Sequence, residues 1–149
     1  VVNNTLHNNG GQSPSNQWGG GIVVDNPNIN TLVIRNNIFS QNYSFQILID
    51  IQISTLSVDH NLIYDFRGYP NEIRGGSPVN GDPLFVNKSS WDFHLQASSP
   101  AIDKGNSLMA PSDDYDLVTR PQGIGYDVGA FEYSSKGSLP GTLLLLLNN

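Results

Sequence analysis

The chain contains no cysteine, which excludes disulfides and thiolate metal sites and leaves its redox compartment unmarked. Charge is scarce as well: Asp, Glu, Lys and Arg make up 13% of the 149 residues, so solubility rests on abundant Asn, Ser and Gly. Positive charge is scarcer still. Seven basic against thirteen acidic residues give a net charge of −6, which disfavours a nucleic-acid backbone or an anionic membrane surface as partner. Long hydrophobic runs are missing. The longest, Leu143 to Leu147, falls far short of the roughly 20 apolar residues that cross a bilayer, so no transmembrane span is expected. No basic leader is visible: Val1 opens directly on a strand-like pattern, and the expectation is a section of a longer protein that continues upstream.

What is present is a repeat. Val1-Val2-Asn3-Asn4-Thr5-Leu6, Ile34-Arg35-Asn36-Asn37-Ile38-Phe39 and Val58-Asp59-His60-Asn61-Leu62-Ile63 share an apolar residue, polar positions ending in Asn, and a further apolar residue. This aligns Asn4, Asn37 and Asn61 at intervals of 33 and 24 residues. About 22 to 25 residues suit one turn of a three-faced coil of short parallel strands. The longer interval then holds an insertion loop near residues 10–20, rich in Gly, Ser, Asn and Pro. Ile22-Val23-Val24 and Ile47-Leu48-Ile49 are apolar runs of the kind a parallel stack buries, and helical periodicity is absent. The expected fold is all-β: a parallel β-helix of two to three coils over residues 1–66, its asparagines forming a structural ladder at a tight turn. From Phe66 to Gly81 the alternation stops and an excursion between coils is expected. Short apolar runs farther on, such as Leu84-Phe85-Val86 and Phe93-His94-Leu95, are expected to cover the open end of the stack.

Several blocks between residues 81 and 133 occur in a recognisable order: Gly81-Asp82-Pro83-Leu84-Phe85-Val86-Asn87, Asp92-Phe93-His94-Leu95-Gln96, Ser98-Ser99-Pro100-Ala101-Ile102-Asp103-Lys104-Gly105, Arg120-Pro121-Gln122-Gly123 and Asp127-Val128-Gly129-Ala130-Phe131-Glu132. Together they resemble the terminal module of bacterial pectate-lyase-like β-helix proteins, of the kind called choice-of-anchor proteins. The resemblance implies a right-handed solenoid with a terminal capping module over 67–133, in a secreted or cell-surface protein whose relatives are polysaccharide lyases, glycoside hydrolases or adhesins. It does not select among them, because function lives in sites grafted on the scaffold. The motif residues have structural roles available: Pro83 and Pro100 fix φ, Gly105 and Gly129 permit close packing, and Asp103 and Asp127 can accept neighbouring backbone N–H groups. One departure is Leu117, where the resembling modules tend to carry Gly, which disfavours a tight turn at Asp114-Tyr115-Asp116-Leu117.

A lyase needs a base and a cation beside a uronate carboxylate, and a hydrolase needs two carboxyl groups. Asp59, Arg35, Asp50 and Asp25 are the candidate catalytic residues, with Asp65 and Arg67 nearby in sequence. Arg35 and Asp59 share one repeat position, so a parallel stack sets them about 5 Å apart at the backbone, and a structural ion pair is the competing reading. His60 aligns with Asn3 and Asn36, which suits a polar turn as well as a sugar contact. Trp18, Tyr43, Tyr64, Tyr69 and Trp91 offer aromatic platforms for sugar rings. Asp113, Asp114 and Asp116 form the densest acid cluster, and Ca²⁺ is the cation they suit, with a solvated turn as the alternative.

Residues 134–149 read as a linker and a leucine-rich tail. Leu139-Pro140-Gly141-Thr142 is similar to the start of a sortase-type signal, although Leu143 stands where that signal has Gly; an added strand and a cloning remnant are the alternatives. The expected function is interaction with a polysaccharide, as part of a lyase or hydrolase. The alternative is a non-catalytic structural or adhesive module that self-associates through its N-terminal coil end or its leucine tail.

Overall fold

A computed structural model describes residues 1–10 and 19–135. Trp18 and the leucine tail lie outside the described residues. Among these the chain is all-β, with mostly parallel strands: β1 (Thr5–His7), β2 (Ile22–Val24), β3 (Thr31–Arg35), β4 (Ile38–Ser40), β5 (Ile47–Ile49), β6 (Thr55–Asp59), β7 (Leu62–Tyr64), β8 (Val79–Asn80), β9 (Phe85–Asn87) and β10 (Asp92–Leu95). A 3-10 turn, Lys88–Ser90, joins β9 and β10, which pair antiparallel.

Each parallel pair joins strands from successive passes of the chain. β2 lies on β5, β3 on β6, and β1, β4, β7 and β8 follow one another across a four-stranded sheet. The chain therefore visits three sheets in one order, β2-β3-β4 and then β5-β6-β7. Pairing continues beyond Phe66, where the sequence pattern breaks. Glu72 bridges Leu48, Gly76 bridges Asp59, and Val79 of β8 pairs with Leu62.

Side chains alternate between the two faces of each strand. Val24, Ile34, Phe39, Ile47, Ile49, Val58 and Ile63, drawn from all three sheets, form one buried cluster. Ile38 and Leu62, one residue away from Phe39 and Ile63, face the opposite side of the four-stranded sheet and form a second cluster with Phe85, Leu95, Ala101 and Val128. The segment after Gly81 thus packs along the outer face of this sheet rather than across the end of the stack, as the sequence suggested. The physical reason is the Ile38 and Leu62 row: left uncovered, each side chain forfeits about 1.5 to 3 kcal/mol of burial. Gly129 permits the closest approach. Its φ is +102°, its N–H donates to the Asn36 carbonyl at 2.8 Å, and a Cβ there would stand 2.6 Å from Ile38 Cδ1.

The corner before the four-stranded sheet is made the same way on each pass. Asn3, Asn36 and His60 adopt left-handed φ of 54°, 55° and 52°, the region Asn tolerates best among residues with a Cβ. Asn8, Gln41 and Asp65 repeat the device at the far end of the same strands.

Candidate functional site

The ladder asparagines follow these left-handed residues. The Asn4 amide N–H donates to Asn37 Oδ1 at 2.9 Å, and the Asn37 N–H and Nδ2 both donate to Asn61 Oδ1 at 2.9 Å. Asn37 Nδ2 also donates to the Arg35 carbonyl, so a fully buried amide is satisfied on both its polar ends. Asn9 and Asn42 form a second such rung at the next corner, with both Asn9 nitrogens donating to Asn42 Oδ1.

Arg35 and Asp59 meet one residue earlier. Nε and Nη2 of Arg35 donate to the two carboxylate oxygens at 2.6 and 2.7 Å. Nη2 also donates to Ser57 Oγ, Nη1 donates to the Leu108 carbonyl, and Ser57 Oγ donates to Asp59. His60 Nδ1 lies 2.8 Å from Asp59 Oδ1. The Arg35 hydrogen bonds hold the Asp59 carboxyl well below the usual carboxylate range, against the opposing effect of burial. With Arg35 only 7% exposed and capped by the 108 loop, the pair spends its donors and acceptors on the protein.

The other sequence candidates are dispersed. Asp25 and Asp50 follow β2 and β5, at a different corner from Arg35 and Asp59, and Asp50 accepts from Asn71 Nδ2 at 2.7 Å. Tyr64 packs into the second apolar cluster on the covered outer face. Tyr43 sits in the turn after β4, where its carbonyl accepts from the Arg67 guanidinium. Among the described residues no hydrogen bond joins any of these to the Arg35–Asp59 pair.

A cleft of about 520 Å³ forms instead where Asn3, Asn4 and Thr5 at the start of β1 meet Trp91, Phe93 and the segment from Pro111 to Phe131. Trp91 and Tyr115, which both line this cleft, are 68% and 77% exposed. Each leans on a second ring in the cleft wall. Trp91 meets Phe93 edge-on at 6.1 Å, and Tyr115 meets Phe131 edge-on at 5.6 Å. Trp91 is aimed by the 3-10 turn: Asn87 caps its start through Ser89 and Ser90 N–H groups, and Trp91 ends it in left-handed φ.

Tyr115 is aimed by the acid cluster. Asp114 Oδ1 accepts the Asp116 and Val118 N–H groups at 2.8 and 2.9 Å, and its Oδ2 accepts the Glu132 N–H at 2.9 Å. The tight turn that Leu117 disfavours does form, with Leu117 itself at φ 65°. Those three N–H groups fix the carboxylate of Asp114 and impose the turn on Leu117. Asp116 Oδ2 instead lies 2.8 Å from His94 Nε2, whose Nδ1 is 2.6 Å from Asp92. Burial lowers the His94 pKa, but the two carboxylates outweigh it and the net shift is upward. Asp113 accepts from Ser112 Oγ. The three acids therefore serve three separate partners, and among the described residues no group of three or more His, Asp or Glu side chains is arranged to hold a metal ion.

Beneath the cleft lies a closed ionic network. Arg120 Nη1 donates to Glu132 Oε1 at 2.6 Å, and the same guanidinium donates to the carbonyls of Asp127 and Gly129. Its Nε has no partner among the described residues. Asp127 accepts the Asp103 and Tyr133 N–H groups at 2.8 and 2.6 Å, and Asp103 accepts the Gly125 N–H. Burial pushes the Asp127 carboxyl up to about 6 even though both backbone donors favour its ionised form. Of these residues Arg120 lines the cleft, and the others hold it in place.

Sequence reasoning placed Trp91 among the sugar platforms but overlooked Tyr115, Phe93 and Phe131. A tyrosine between two aspartates in a polar turn has no core to fill, and that was the available signal. Among the described residues no helix is long and apolar enough to cross a membrane. No family model, curated protein or solved structure matches the chain.

Proposed function

We propose that this chain is a carbohydrate-binding module of a secreted or cell-surface protein, built on a right-handed parallel β-helix, and that the Trp91–Tyr115 cleft is its polysaccharide site. The solenoid assignment is supported by the fixed order of three sheets per pass and the 24-residue step between stacked asparagines. Its hand is the one that parallel crossovers overwhelmingly adopt.

The observation that carries the functional reading is the pair of exposed rings, Trp91 and Tyr115, on the walls of one open cleft. Sugar rings present apolar C–H faces that stack on aromatic planes, while their hydroxyls need amides and carboxylates of the kind that Asn4 and Asp113 supply. The volume lies within the range of clefts that hold small organic ligands. Retention without turnover is the expected behaviour, because of the two lining carboxylates, Asp113 and Asp114, the second is committed to three backbone N–H groups.

Calorimetric titration with neutral, amine-bearing and uronate oligosaccharides tests this. At least one is expected to bind, and Trp91→Ala and Tyr115→Ala are each expected to weaken it about tenfold. Unsaturated or reducing-end products in the same mixtures would replace binding with catalysis. No binding by the folded protein to any member of the panel would overturn the reading.

A further inference from the structure

We infer that the cleft selects its glycan by charge, taking a sugar chain that bears free amines and excluding polyuronates; this rests on the cleft being a glycan site. Among the lining residues the ionisable groups are Asp113, Asp114 and Arg120, besides Tyr115. Arg120 is held by Glu132 at 2.6 Å and is 5% exposed, so its charge is cancelled within the wall. Next in the chain to the lining residues Trp91 and Tyr115 stand Asp92 and Asp116, which hold His94 between them. Among the described lining residues no other cation faces the carboxylate of a uronate, and the His94 imidazolium is already engaged by Asp92 and Asp116, so entry of a uronate would set like charges together.

An ammonium meets the opposite situation. Asp113 is exposed, and its carboxylate offers about four acceptor positions of which Ser112 Oγ occupies one. The open faces of Trp91 and Tyr115 attract a cation through their ring quadrupoles. Aromatic faces and a carboxylate together recognise an amino sugar more completely than they recognise a neutral one.

The test compares tetramers of β-1,4-glucosamine, its N-acetylated form and galacturonate, titrated into the full chain at about pH 5.5, where a sugar amine is protonated. The glucosamine tetramer is expected to bind about fivefold more tightly than the acetylated one, the worth of one exposed ion pair, and galacturonate not measurably. Raising the salt should shrink that ratio. Asp113→Asn should bring it near one, while Asp113→Glu should restore it, and circular dichroism of both variants separates lost charge from lost fold. Equal affinity for the first two tetramers, or measurable binding of galacturonate, overturns the charge selection while leaving a glycan site in place. Failure of every tetramer and of the wider panel instead overturns the site itself.

Discussion

Arg35 grips Asp59 with two parallel hydrogen bonds of 2.6 and 2.7 Å across adjacent strands, in a register where the two residues stand directly opposite. Loss of one partner leaves the other charge largely buried, so Asp59→Asn is expected to cost about 2 to 3 kcal/mol of stability at neutral pH. The pH dependence has a definite sign. Asp59 is held below its ordinary value of 3.8, so its contribution is complete above that pH and is lost as the pH falls through the depressed folded value. Thermal unfolding of wild type and Asp59→Asn should therefore differ by a constant amount from about pH 5 to pH 8 and converge in acid. A gap that persists unchanged below about pH 2 would assign the pair a packing role with no charge component.

Leu117 carries the clearest local strain near the cleft. It sits at φ 65° with 83% of its surface exposed, so the side chain incurs the left-handed penalty and gains little burial in return. Leu117→Gly removes that penalty, less the extra freedom glycine has in the unfolded chain, and should stabilise the protein by about 0.5 to 1 kcal/mol, a melting shift of a few degrees. Leu117→Val should move in the opposite direction. Denaturant midpoints of the two variants decide it, and a destabilised glycine variant would mean that Leu117 makes a contact worth more than the strain.

The repeat made some of this legible and hid the rest for physical reasons. Asn4, Asn37 and Asn61 could be aligned because a tight corner accepts few residue types, and the Arg35–Asp59 pairing followed from the same register. The cleft could not be read. Its walls come from β1, β10 and the turn at Asp114, joined by contacts such as Asn3 Nδ2 to the Gly129 carbonyl, 126 residues apart, for which no local pattern exists. The lateral placement of the terminal segment was hidden because Ile38 and Leu62 look like interior residues in sequence and are buried by a later part of the chain.

Glu72 was equally invisible, a lone acid in a Gly- and Pro-containing stretch. Its Oε2 accepts the Arg67, Gly68 and Tyr69 N–H groups at 3.2, 2.7 and 3.1 Å, and its Oε1 accepts the buried Gln46 N–H at 2.8 Å. One carboxylate thus ties the 67–69 turn to the start of β5. Glu72→Gln places an amide donor against those N–H groups and should cost about 2 to 3 kcal/mol. Amide hydrogen exchange should accelerate selectively at residues 67–69 and 46. Uniform acceleration across the chain would show instead that Glu72 holds no separate local unit.

His94 links the two walls of the cleft, since it touches Asp92 beside Trp91 and Asp116 beside Tyr115 and meets the Phe131 ring at a tilt, centroids 4.2 Å apart. Its pKa is raised above 6.5, so the stabilisation it brings is complete below that pH and is lost as the pH climbs through the raised folded value. Nearly half the ring is exposed, which keeps the effect under about 1 kcal/mol. The melting difference between wild type and His94→Gln should consequently be largest below about pH 6 and shrink in mildly alkaline solution. Affinity for the N-acetylated tetramer, which carries no titrating amine, should follow the same course in wild type and flatten in the variant, because a neutral ring no longer draws both carboxylates together and the two aromatic walls lose their fixed spacing. A melting difference that grows with pH would reverse the sign of the link and exclude the imidazolium as its cause.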